Sequence, residues 1–240
     1  MTEPVRLSKR LAEMLGCSRR EAELYIEGGW VRVNGEIVDE PFFRVTDETI
    51  VLHPQAVAEP LPPVTLLLNK PEGFGAMGGD QPAVALLLPE HRMVNDPSPM
   101  QPLFRHLQRQ SPVTPLERDA SGLIVFTQDW RAQRRLEEDH HLLEQEILVD
   151  VVGEITEPGL RQLSGGLSFE GVKAPAMKVS RQSEQRLRFA VKGYETGLIA
   201  DLCWQVGLEV TAMKRLRIGR VSLSGLPVGQ WRYLGPGERF

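Results

Sequence analysis

Five cations fall near the starts of two consecutive helical patterns: Arg6, Lys9 and Arg10 at the first, Arg19 and Arg20 at the second. The first turn of a helix presents backbone N–H groups that the helix itself cannot satisfy, so cations placed there make a seat for phosphate. Arg32, beside the turn Asn34-Gly35, adds a further contact of the same kind. Taken alone, such a cluster is better explained as a solvated helical face. A phosphate seat requires the acidic residues Glu23, Glu27, Glu36, Asp39 and Glu40 to lie elsewhere. The net charge of the chain is -4, so any nucleic-acid site must rest on a local patch. Metal chemistry is not expected. The adjacent pair His140-His141 points two ways on any regular element, there is no Cys-x-x-Cys, and Cys17 and Cys203 read as reduced, packed thiols.

The elements that must position these cations are legible in the first 54 residues. Leu7, Leu11, Met14 and Leu15 share one helical face, with Ser8 read as the start signal and Gly16-Cys17 as the end. Ser18-Arg19-Arg20-Glu21 is a capping box opening a second helix that stops at Gly28-Gly29. Val31–Val33 and Glu36–Val38 flank Asn34-Gly35, a strong hairpin signal, and a strand from Thr49 to His53 completes the unit.

Residues 55–63, Gln-Ala-Val-Ala-Glu-Pro-Leu-Pro-Pro, form a Pro-rich linker to a second domain over residues 64–240. Strands are predicted at 64–69, 122–127, 147–152, 176–180, 186–191, 210–218 and 220–223. Helices are predicted near 83–88, from Asp129 to about Asp139, and over 198–206. Residues 89–114, with Pro89, Pro97, Pro99, Pro102 and Pro112, are irregular. The fold class is α+β: a small α+β module, then a mixed, mainly antiparallel sheet domain. No apolar run approaches the roughly 20 residues of a membrane span, and Met1-Thr2-Glu3-Pro4 is no signal peptide, so the expected compartment is the cytoplasm.

The string Leu7-x-Lys9, Ser18-Arg-Arg-Glu-Ala22, Ile26-x-x-Gly29 and Val31-x-Val-Asn-Gly35 closely resembles the RNA-binding module of small-subunit ribosomal protein S-four. That resemblance implies RNA contacts by Arg6, Lys9, Arg10, Ser18, Arg19, Arg20, Arg32 and Asn34. Downstream, Asn69-Lys-Pro-x-Gly73, Ser121-Gly-Leu123, Lys214-Arg-Leu-Arg-Ile-Gly219 and Leu226-Pro-x-Gly-x-Trp-Arg232 resemble the bacterial pseudouridine synthases that modify ribosomal RNA and carry this module. Those enzymes need no cofactor. They flip a uridine out of its RNA, break its N-glycosidic bond, turn the base and re-bond C5 to the sugar.

The resemblance implies a carboxylate acting as nucleophile or base, with a cation beside it and an aromatic ring stacked on the uracil. Here the family's Arg-Leu-Asp aligns with Pro115-Leu116-Glu117, its stacking tyrosine with Ile147, and its basic helix start with the segment from Gly197 to Leu202, which carries Asp201 and no cation. Glu117 is therefore the candidate catalytic residue of a degenerate site. Asp119, two residues on, would break the Ser121-Gly122-Leu123 register and reads as a loop-capping acid. The sequence thus implies a monomeric partner of structured, ribosomal RNA, without metal or membrane, that isomerises uridine if it is active. The alternative is a catalytically impaired homologue that binds structured RNA or the ribosome.

Overall fold

A computed structural model describes residues 3–76 and 78–240. The chain forms two compact units: Met1–Pro63 together with Met100–Arg109, and Val64–Pro99 together with Gln110–Phe240. Residues 100–109, expected within the irregular stretch of the large domain, thus belong with the first unit. Within the described residues no helix is long and apolar enough to cross a membrane.

In the first unit, β1 (Val5–Arg6) runs into α1 (Leu7–Leu15), followed by α2 (Arg19–Glu27), β2 (Val31–Val33), β3 (Glu36–Ile37), β4 (Arg44–Val45) and β5 (Ile50–Leu52). Leu7 and Leu11 of α1 meet Ala22 and Ile26 of α2, each pair spaced four residues apart, over Val31, Val33 and Val45. Complete burial of such aliphatic side chains contributes about 1.5–3 kcal/mol apiece. The capping box forms: Ser18 Oγ accepts from Glu21 N–H and the Glu21 carboxylate accepts from Ser18 N–H. Asn34 and Gly35 take φ of 50° and 89°, the left-handed pair that a two-residue hairpin turn requires. The expected start at Ser8 is corrected. Arg6 occupies the N-cap without a side-chain bond, and Ser8 lies buried inside the helix. The chain enters α1 from a strand, β1, which pairs with β4 and supplies the extended cap conformation. A short helix, α3 (Phe104–Leu107), completes this unit; Phe104 N–H donates to Asp39 Oδ2 at 2.6 Å.

The second unit contains β6 (Thr65–Lys70), β7 (Ser111–Pro112), β8 (Ala120–Thr127), α4 (Trp130–Glu137), β9 (Glu144–Val152), α5 (Glu157–Leu163), β10 (Ser168–Phe169) and β11 (Val172–Lys173). It continues with β12 (Met177–Ser183), β13 (Arg186–Lys192), α6 (Leu198–Gln205), β14 (Glu209–Ile218), β15 (Val221–Ser222) and β16 (Trp231–Tyr233). One sheet runs in the order β12-β13-β9-β14-β8-β6-β16, with β15 on β14 and β7 on β8. β8 and β14 are parallel; the other neighbours in this sheet are antiparallel. β9 buries Gln145, Ile147, Val149 and Val151, the period of two expected of a strand with one covered face. β6 is buried along its whole length, as a central strand covered on both faces must be. Asp129 caps α4 as expected, accepting from Arg131 N–H at 2.9 Å. α5, capped by Thr156, the β10–β11 hairpin and β16 are not predicted from the sequence. They are short and take their stability from tertiary packing rather than from their own periodicity.

Gly122 meets a steric need of this sheet. It lies opposite Arg215 in the parallel β8–β14 pairing with φ of 106°, and a Cβ there would stand 2.3 Å from the Arg215 carbonyl oxygen. Gly122→Ala is expected to destabilise the protein by more than about 2 kcal/mol, a drop of several degrees in Tm by calorimetry. A variant melting with the wild type would show that the two strands can part without cost.

Candidate functional site

Glu117 sits in the loop between β7 and β8, and its backbone carbonyl accepts from Ala120 N–H to close the turn. Both carboxylate oxygens are engaged by neutral donors. The Tyr194 hydroxyl lies 2.5 Å from Oε1 and 2.6 Å from Oε2, and Gly197 N–H donates to Oε1 at 2.7 Å. Gly197 is the N-cap of α6, in a left-handed conformation, so the carboxylate also faces the positive end of that helix. Burial, then the Glu117 charge, pushes the Tyr194 phenol well above its ordinary value, so it remains a neutral donor.

Two buried cations hold the loop that carries Glu117. Arg215, on β14, is 0% exposed. Its Nε donates to Leu123 O at 2.7 Å, one terminal nitrogen to Pro115 O and Gln145 Oε1 at 2.9 and 3.1 Å, and the other to Thr114 O at 3.1 Å. Desolvation lowers its pKa to about 10, with nearby Tyr194 and the Glu117 charge opposing that shift. Lys70, at the end of β6, donates to the carbonyls of Pro71, Phe74 and Arg118 at 3.0, 2.7 and 2.9 Å. Its pKa falls to about 8, from burial first and the Arg215 charge second. Both cations lie in the electrostatic field of Glu117, yet their hydrogen bonds go to backbone carbonyls and one amide oxygen. The helix start carries no cation, and the two buried cations near Glu117 come from β6 and β14. Sequence reasoning missed Arg215 and Tyr194. Arg215 lies inside the Lys214–Gly219 motif, and Tyr194 is the only aromatic residue between β13 and α6.

Ile147 is fully buried in β9 and presents no face to a base. A cavity of about 430 Å³ opens beside the clamp, walled by Thr114, Pro115, Gln145, Phe169 and Tyr194. Glu137, Glu170 and Glu195 also line it. Such a rim repels phosphate.

The cations of the first unit are arranged differently from expectation. Glu23 and Glu27 do not lie elsewhere: Arg19 is 3.8 Å from Glu23, and Arg20 is 3.5 Å from Glu23 and 3.9 Å from Glu27. These exposed pairs contribute at most about 1 kcal/mol each and open readily. Lys9 and Arg6 are exposed at the start of α1. Arg10 is half-committed, donating to Thr46 O at 2.9 Å. Arg32 donates to Gly35 O, and Asn34 Oδ1 accepts from Thr49 N–H, so both brace the hairpin. Ser18 is occupied by the capping box. Among the described residues no cluster of three metal-ligating side chains is present.

The Lys70 ammonium is a depressed base, so the unfolded chain binds its proton more tightly than the folded one. Stability should therefore rise between about pH 8 and 10.5 in the wild type relative to Lys70→Met. Urea titrations of both proteins across that window check it; parallel pH profiles would contradict the burial assigned to Lys70.

Residues 5–51 match the S4 domain family. Over 98% of its length the chain is 33% identical to the dual-specificity RNA pseudouridine synthase RluF of Escherichia coli strain K12, covering 77% of that protein. It is 28% identical, over 97% of its length and 93% of the relative, to the ribosomal large subunit pseudouridine synthase B of Bacillus subtilis strain 168. A crystal structure of a pseudouridylate synthase shares the fold, with a TM-score of 0.61 and 21% identity over 96% of both chains. The N-terminal RNA-binding module, the sheet domain behind it and this near full-length similarity place the chain in the RNA pseudouridine synthase family.

Proposed function

We propose that the protein binds structured ribosomal RNA in the cytoplasm, as a monomer and without a metal, and forms pseudouridine on it slowly or not at all. The observation that carries this reading is the clamp on Glu117. Isomerisation asks a carboxylate to act on the sugar or the uracil while the C1′–N1 bond breaks and the C1′–C5 bond forms. Here both oxygens already accept from Tyr194 and Gly197. Glutamate is also one methylene longer than the aspartate of the family, and a displacement of about 1 Å at a reacting group costs roughly a hundredfold in rate. Buried Ile147 and the acidic lining of the adjacent cavity point the same way. The competing reading, an active isomerase using Glu117, draws support from the buried charges of Arg215 and Lys70 in its field.

Mass-spectrometric mapping of ribosomal RNA incubated with the wild-type protein should find little or no new pseudouridine. Glu117→Asp alone should not restore turnover, because groups acting as a unit are strongly non-additive. Robust, saturable conversion abolished by Glu117→Ala would establish the isomerase reading instead.

RNA affinity should depend on the cations at the start of α2. The double substitution Arg19→Ala and Arg20→Ala is expected to weaken binding to a structured ribosomal RNA fragment about tenfold. The slope of log K against log salt should flatten by about 2, one for each phosphate that is no longer neutralised. Unchanged affinity and slope would mark these arginines as a solvated face.

A further inference from the structure

Residues 100–109 change what the RNA-binding module presents. α3 brings Arg105 and Arg109 alongside Arg6 and Arg20, and the four guanidiniums line a groove of about 510 Å³. Glu23 and Glu27 also line it, so cations outnumber carboxylates by two and the groove has a net positive wall in a chain of net charge -4. The segment is fixed rather than merely adjacent: Phe104 N–H is held by Asp39, and the Phe104 ring meets Phe42 edge-on, with centroids 5.4 Å apart at 75°. Phe42 is itself 52% exposed, an aromatic surface left open beside the arginines. Arg109 takes φ of 53°, a left-handed conformation that a residue bearing Cβ adopts rarely, and it closes the segment at the groove's edge.

Closely spaced guanidiniums beside an open aromatic face match one chemistry well. A duplex offers phosphates but no free base face, whereas an unpaired strand offers both, with phosphates for arginine and a splayed base for the ring. We infer that this groove holds an unpaired stretch of RNA flanking the structured element gripped by α1, α2 and the hairpin. The inference rests on the RNA-binding reading above and extends it from the shape of the target to its single-stranded flank.

The test uses the full-length protein and two fluorescent ribosomal RNA hairpins, one blunt and one carrying a short unpaired uridine tail. By anisotropy, the wild type should bind the tailed hairpin about tenfold more tightly. The double variant Arg105→Ala with Arg109→Ala should lose that advantage while keeping the affinity for the blunt hairpin. Its salt slope on the tailed RNA should fall by about 1.4, two phosphates at the single-strand value. Phe42→Ala should lose roughly tenfold on the tailed RNA alone, and Arg105→Lys with Arg109→Lys should retain most of the advantage. Thermal melts confirm that each variant is folded. Equal wild-type affinity for both hairpins, or a tail preference untouched in the Arg105 and Arg109 variant, would overturn the groove and leave the module's RNA binding standing. A tail displaced as well by oligoglutamate as by oligouridylate would make the groove an acidic-peptide site and overturn it too. Failure of the wild type to bind either hairpin would overturn both readings together.

Discussion

The second unit is organised around one buried guanidinium. Arg215 leaves β14, crosses under the loop before β8 and spends its fork on the carbonyls of Thr114, Pro115 and Leu123 and on Gln145. A guanidinium without water must be hydrogen-bonded throughout, because the cost of a buried unpaired charge exceeds that of almost any local rearrangement. The loop carrying Glu117 is therefore shaped to satisfy Arg215. Gly122 follows from the same constraint, since the strands bearing Arg215 and the loop must approach too closely for a Cβ.

Lys70 works from the other side. Its ammonium gathers the carbonyls of the turn after β6 and the carbonyl of Arg118, the residue after Glu117. The segment is thus tied at both ends by cations bound to backbone, and its carboxylate is left to neutral donors. A carboxylate held in this way is firmly placed.

The first unit shows a comparable separation. Its core of Leu7, Leu11, Ala22 and Ile26 is independent of Arg19 and Arg20 on its surface, which form weak exposed pairs with Glu23 and Glu27. Ordering those cations against a polyanion therefore costs little, since each pair that opens gives up at most about 1 kcal/mol.

What the sequence determined by itself was local. The capping box at Ser18, the Asn34-Gly35 turn, the Asp129 cap and the alternation along β9 are each decided by residues within a few positions of one another, so they could be read without a fold. Glu117 was singled out differently, by the resemblance of Pro115-Leu116-Glu117 to the family's Arg-Leu-Asp. The helix start at Ser8 was misread because β1, paired with a strand some 40 residues on, fixes the cap instead. Only the tertiary structure decided who faces Glu117. Tyr194 and Gly197 lie 77 and 80 residues away along the chain. Arg215 reaches the loop only because β14 runs beside β8, and residues 100–109 join the first unit through tertiary contacts such as those of Phe104 with Phe42 and Asp39. Partners separated by that much chain leave no periodicity to read; burial and hydrogen-bond satisfaction select them, and both exist only once the sheet has closed.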